Sequence, residues 1–166
     1  MDAILKRRSI RRYKSDEVSN DLIKKILEAA MNAPSAGNEQ PWHFIVIKNK
    51  GGLQKLAESS PYAKMVKDAP CAIVVCGDLN LDKHQGYWVQ DCSAASENIL
   101  LEVTELNLGA VWLGVYPLKE RIEYIKEQFK LPENIIPFSI IPVGHPAQEM
   151  KPVSRYNQQR IHYENW

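Results

Sequence analysis

The stretch Cys71-Ala72-Ile73-Val74-Val75-Cys76 most restricts what this chain can fold into. It is a continuous apolar run, β-branched at its centre, preceded by Pro70 and ended by Gly77-Asp78. A run this short, bounded by turn residues, predicts a strand buried on both faces. Trp42-His43-Phe44-Ile45-Val46-Ile47 is aromatic and β-branched and predicts a second such strand. Ala110 to Val115 reads as a third strand. Ile135 to Val143 reads as a fourth, an edge or irregular strand because Pro137 and Pro142 interrupt it.

Helical periodicity fills much of the remainder. From about Tyr87 to Leu106, Trp88, Cys92, Ala95, Ile99, Val103 and Leu106 form a stripe, which Val89, Leu100 and Leu101 widen. So broad an apolar surface fits a central helix, or one that also packs on a second subunit. Ser19 is placed to cap a helix running to Met31, with Leu22, Ile23, Ile26, Leu27 and Ala30 on one face. Asp2 to Arg7 predicts a short helix with Ile4 and Leu5 facing inward. Gly51-Gly52 marks a turn before another short helix, Tyr62 to Lys67 forms a third, and Leu118 to Phe129 a longer one. Leu108-Gly109 is a helix-end signal. From Gly144 the chain is polar and aperiodic, yet it holds Tyr156, Ile161, Tyr163 and Trp166. Those side chains need a surface to pack on, either their own subunit or a partner.

The 166 residues fit one domain, spanning 1–166, with a real core. Lys and Arg number 21 against 20 Asp and Glu, so net charge gives no reason to expect a nucleic acid or membrane partner. No stretch is apolar enough to span a bilayer, and no apolar segment follows the N-terminal cations as in a signal peptide. Cys71, Cys76 and Cys92 lack C-x-x-C spacing and read as reduced thiols of a cytoplasmic protein, the first two as small core residues. The histidines are scattered, so no metal site is expected. G-x-S-x-G, the phosphate-binding G-x-x-x-x-G-K-[ST] and the dinucleotide fingerprint G-x-G-x-x-G are all absent.

Four segments remain that could carry chemistry. Lys6-Arg7-Arg8-Ser9-Ile10-Arg11-Arg12-Tyr13-Lys14 is dense in cations around one hydroxyl. Guanidinium groups bind phosphate bidentately, so this is either an anion site or a solvated basic helix end. Pro34-Ser35-Ala36-Gly37-Asn38-Glu39-Gln40-Pro41-Trp42 is a proline-stiffened loop that offers amides and a hydroxyl to a polar heterocycle or polyol. Trp112-Leu113-Gly114-Val115-Tyr116-Pro117 ends a strand at a glycine, where backbone can approach a planar ligand. Arg155 and Arg160 lie in the tail.

In this order, R-R-S-x-R followed by P-S-x-x-N-x-Q-P-W, then the glycine strand end, Gly144-His145-Pro146 and the basic tail, the chain resembles the nitroreductase family of FMN-dependent oxidoreductases. The resemblance covers essentially the whole chain, which is short for the family. It implies an α+β fold with a central mixed sheet flanked by helices, in a homodimer whose C-terminal tail packs on the partner subunit and which shares two FMN sites. Arg7, Arg8, Ser9 and Arg11 are implied as ligands of the FMN phosphate, ribityl and pyrimidine edge. Pro34, Ser35, Ala36, Asn38 and Gln40 are implied as the loop reaching the flavin from the other subunit. Leu113, Gly114 and Val115 would lie beside the ring with a backbone N–H toward N5, and Arg155 would be a second phosphate ligand. Hydride would pass from NAD(P)H through flavin N5 to a nitroaromatic, quinone or related small-molecule acceptor by a ping-pong mechanism, without a catalytic side chain. The alternative is an FMN-binding storage or redox-sensing protein without efficient turnover.

Overall fold

The computed structural model describes residues 2–166. In chain order they form α1 (Asp2–Lys6), α2 (Asn20–Met31), β1 (Trp42–Ile47), α3 (Lys50–Glu58), β2 (Cys71–Asp78), α4 (Trp88–Glu105), β3 (Gly109–Ala110), β4 (Leu113–Gly114), α5 (Lys119–Phe129) and β5 (Ile135–Gly144). The sheet order is β1-β2-β5-β3, and β4 also pairs with β5. All pairings between these strands are antiparallel. The parallel component of the expected mixed sheet is one isolated bridge, between Ser9 and Ala110.

Strand β2 fulfils its apolar pattern completely. Cys71, Ile73 and Val75 face one core, with residues of α2 and α4. Ala72, Val74 and Cys76 face the other, with residues of α3 and α5. Alternation across the pleat thus builds two layers from one strand. Burial pushes the Cys71 thiol up to about 11 and Cys76 up to about 12, so both remain protonated core groups.

Several expectations shift. Strand β1 pairs only with β2 and exposes His43, so it is an edge strand and not one buried on both faces. Of the two alternatives for strand β5, an edge or an irregular strand, the structure shows the second: the strand is central and irregular. Pro137 and Pro142 have no register partner on its β3/β4 side, and the β2 register slips between Val75 and Cys76, opposite Pro137. The missing proline N–H groups are thereby tolerated inside a sheet. The single strand expected over 110–115 is two short strands, β3 and β4. Gly51-Gly52 lies inside the first turn of α3, where the Asn49 side chain accepts from the Gly52 N–H at 2.7 Å. A Cβ at Gly52 would come within 2.6 Å of Ile47 Cγ2, so close packing accounts for this glycine. Ile4 and Leu5 on α1 face outward instead of inward, Leu5 at 71% exposure, and border a cavity shared with residues 152–156.

Ser19 caps α2 as expected, accepting from the Leu22 N–H. Helix α4 carries Trp88, Cys92, Ala95, Ile99 and Val103 into the core it shares with α2. Among the described residues no helix is long and apolar enough to cross a membrane.

Candidate functional site

The N-terminal cation segment leaves α1 and is stitched along the end of the sheet. The Ile10 N–H donates to the Ala110 carbonyl at 2.8 Å, and the Lys14 N–H to the His145 carbonyl at 2.8 Å. The buried Ile10 side chain lies against Gly109, where a Cβ would meet Ile10 Cγ2 at 2.7 Å. The Tyr13 hydroxyl donates to the Ile10 carbonyl at 2.6 Å, and its ring lies over Gly144. Burial raises the Tyr13 phenol far above its ordinary range. Gly109 and Gly144 are therefore the seats on which this segment rests, and they fix where Arg7, Arg8 and Ser9 stand.

The root of the tail is tied to the same segment. The Ala147 N–H donates to the Arg12 carbonyl at 2.9 Å, the Arg11 N–H to Gln148 Oε1 at 3.3 Å, and the Arg8 guanidinium to the Lys151 carbonyl. Arg7 Nε stands 3.5 Å from Glu97 Oε1 on α4. A cavity of about 670 Å³ opens here, with Arg7, Arg8, Ser154 and Arg155 in its wall together with Glu97. Sequence positions 7 and 155 thus converge on one cation-lined cleft. Ser9 and Arg11 flank the cleft without lining it; Ser9 pairs with Ala110, and Arg11 is exposed.

The loop from Pro34 to Pro41 is held elsewhere, on the first turn of α4. Asp91 Oδ1 accepts the Ala36 N–H at 3.0 Å. Ser35 Oγ accepts the Gln40 N–H at 3.0 Å, and Gln40 Nε2 donates to Asn38 Oδ1 at 3.1 Å. Gly37, Asn38 and Gln40 all adopt positive φ, at 52°, 56° and 49°, so the loop is bent backbone that non-glycine residues adopt only under constraint. The constraint includes His84, whose ring lies against Gly37 and whose N–H donates to Glu39 Oε1 at 2.7 Å. Burial pushes the Asp91 carboxyl up, and Glu39 and Asp82 nearby push it the same way, against the Ala36 N–H and the nearby His84, which lower it. Pro34 to Gln40 do not line the cleft at Arg7 and Arg8, so the structure does not bring these two signatures together within one chain.

The third segment ends at β4. The Val115 and Tyr116 N–H groups both donate to the Phe138 carbonyl, at 3.0 and 3.1 Å. Trp112 packs edge-on to Phe138, and Trp88 edge-on to Tyr116, which braces the strand end from beneath. Gly114 is exposed, has no positive φ, and a Cβ there would meet nothing within 4 Å. The chain's own packing and backbone therefore do not require a glycine at 114. The bare backbone leaves a flat space that a planar ring could use, as Gly109, filled by Ile10, does not. Together with the cation-lined cleft, this donor set fits a phosphorylated planar cofactor such as FMN.

The sequence does not single out Asp91, Glu97 or Arg121, whose guanidinium donates to the Gly114 carbonyl at 2.7 Å. Each lies on a helix, at spacings that read as ordinary solvated faces, so no local signal marks them. Among the described residues no group of three or more His, Cys, Asp or Glu is placed to hold a metal.

A two-core α+β sheet with a cation-lined cleft and, at the end of β4, an open glycine defines a class, and sequence comparison identifies it: the chain belongs to the nitroreductase family, whose model matches residues 4–61 and 58–145. It is 55% identical to a protein of Methanothermobacter thermautotrophicus provisionally named NADH dehydrogenase/NAD(P)H nitroreductase, over 100% of this chain and 87% of that one. An FMN-dependent nitroreductase of Clostridium difficile superposes with a TM-score of 0.92 at 33% identity, covering 100% of both chains. A nitroreductase structure from Desulfovibrio desulfuricans in complex with FMN superposes at 0.85 with 34% identity, over 99% of this chain and 96% of that one.

Proposed function

We propose that residues 1–166 form one unit that binds FMN and uses it as an NAD(P)H-dependent oxidoreductase, passing electrons by a ping-pong mechanism to nitroaromatic, quinone or related acceptors. The observation that carries the reading is the convergence of Arg7, Arg8 and Arg155 on one cleft, with the bare backbone of Gly114 as the second feature. The two sets of relatives, named for NAD(P)H and for FMN, support the same reading.

In this reading Arg7, Arg8 and Arg155 hold the phosphate, Ser9 and Arg11 reach the ribityl chain and pyrimidine edge, and Leu113, Gly114 and Val115 support the ring. Bound FMN supplies two-electron redox chemistry between a nicotinamide and the acceptor. The protein binds, orients and excludes water, and a cation near the pyrimidine edge favours the electron-rich reduced form. Pro34, Ser35, Ala36, Asn38 and Gln40 stand away from the cleft of their own chain, which supports a homodimer in which each loop serves the partner's cofactor and the two sites are shared. The protein acts in the cytoplasm, in line with three buried free cysteines.

The test is direct. The purified protein should be yellow, bleach with NADH or NADPH, and recover colour with a nitro compound or quinone. Initial-rate plots at several acceptor concentrations should be parallel. A flavin that binds but is not reoxidised at a useful rate would favour a storage or sensing role. Loss of the dimer with FMN fully retained would refute the shared site.

A further inference from the structure

The Gly114 carbonyl is bound by Arg121 Nη1 at 2.7 Å. It belongs to the same peptide as the Val115 N–H, which donates to the Phe138 carbonyl at 3.0 Å. That peptide is therefore gripped on both sides, once by the sheet and once by a planar cation. The grip matters because residue 114 is a glycine, whose peptides rotate more freely than those of any other residue. Strand β4 is only two residues long and gives little restraint of its own.

Arg121 is itself held. It lies in the first turn of α5, a helix anchored by the fully buried Ile125. Its guanidinium carbon stands 6.0 Å from the centre of the Tyr62 ring, within the range of a cation–π contact. One side chain thus ties the strand end to a helix and to the connector carrying Tyr62, at the point where the backbone is bare.

We infer that Arg121 is a positioning residue for the redox reaction, setting the orientation of the Gly114 peptide against the flavin ring and placing a fixed positive charge behind it. This rests on the assignment of Gly114 to the flavin site. The arrangement has two separable effects. The forked guanidinium holds geometry, which a point charge on a lysine stem would do less well. Its charge favours the reduced, more electron-rich ring, which either cation would do in part.

The test uses the FMN-loaded full-length protein in three forms: wild type, Arg121→Met and Arg121→Lys. FMN content, midpoint potential and the single-turnover rate of flavin reduction against NADH concentration are measured for each. Arg121→Met should keep its FMN, because the cation cleft lies elsewhere. Its potential should become more negative, and its limiting reduction rate should fall on the order of tenfold with little change in the half-saturating NADH concentration. Arg121→Lys should recover the potential more than the rate. Tyr62→Leu changes an exposed ring, so folding is not at risk, and it should shift both quantities the same way by less. Wild-type values in a loaded Arg121→Met protein would overturn the inference and leave the FMN assignment standing. If Arg121→Met fails to load, unchanged values in Tyr62→Leu would overturn it instead. A wild-type protein without flavin would overturn both readings.

Discussion

Strand β2 and the stretch from Met150 to Trp166 are both rich in large apolar side chains, and they end in opposite places. Every apolar residue from Cys71 to Cys76 is inaccessible to solvent. In the tail, Val153, Tyr156, Ile161 and Tyr163 are exposed, and Trp166 is wholly exposed. The strand meets its partners within the chain because its alternation matches two layers of helices. The tail has no period, and among the described residues its hydrogen bonds to the body reach as far as Lys151, with 152–156 in the cleft wall. Ile4 and Leu5 of α1 are exposed beside that wall and enlarge the apolar surface. Hydrophobicity alone does not locate a residue; the availability of a complementary surface does. An apolar surface of this kind is suited to an interaction site, and in the homodimer proposed above a partner subunit would be available to cover it.

The contrast can be broken most sharply at its buried end. Ile73→Ala should destabilise the subunit by about 2–5 kcal/mol, because transfer and cavity terms add in a core that cannot collapse. Tyr163→Ala should change the stability of an isolated subunit by under about 0.5 kcal/mol. Urea midpoints measured at low protein concentration compare the two, and equal shifts would erase the distinction. The next effect concerns the tail as a whole. Removing residues 153–166 takes away Arg155 and the exposed aromatics, so FMN affinity should fall at least on the order of tenfold and dimers should dissociate more readily. Equilibrium sedimentation and flavin fluorescence read these outcomes. An unchanged protein would mean that the tail is as inert as it is exposed.

Much of this was legible in the residues, for identifiable reasons. Strand β2, helix α2 with its Ser19 cap and helix α4 follow from local periodicity, which needs no knowledge of distant contacts. The cleft could be named because motif order implies convergence, although spacing alone could not bring position 155 to position 7. What could not be read was long-range. The prolines of strand β5 fit an edge or an irregular strand equally, and only the short length of β3 and β4, which leaves room for them, selects an irregular central strand. The outward face of α1 depends on how that helix sits against α4 and the tail, which a helical pattern does not encode. Arg121 reads as one more charge on a solvated helix until the Gly114 carbonyl is placed beside it.

A smaller effect sharpens the comparison within the cation segment. The Tyr13 hydroxyl is the link between this segment's own turn and the ring seated on Gly144. Tyr13→Phe keeps the ring and leaves the Ile10 carbonyl without that donor. The expected loss is about 1 kcal/mol, seen as a lowered urea midpoint with FMN binding retained. A change of several kcal/mol would mean that the segment is held mainly by this one bond and not by its backbone pairing to Ala110 and His145.

The smallest effect lies in the loop from Pro34 to Pro41, which stands between the two extremes: seated on Asp91 below and open to solvent above. Asp91 is buried, one of its oxygens takes the Ala36 N–H, and its Oδ2 has no hydrogen-bond partner among the described residues. Burial, with Glu39 and Asp82 nearby, raises its carboxyl above the ordinary value of about 3.9. The folded state therefore holds this proton more tightly than the unfolded state does. The resulting stabilisation is full below about pH 4 and is lost as pH rises through the raised folded value. Asp91→Asn keeps an acceptor for Ala36 and removes the buried charge. Its stability should vary less with pH from about 4 upward, and at pH 7 it should equal or exceed the parent by up to about 1 kcal/mol. If the asparagine variant is less stable at every pH with an unchanged slope, the charge itself holds the loop, and the backbone of Ser35 to Gln40 is anchored by an ionised Asp91.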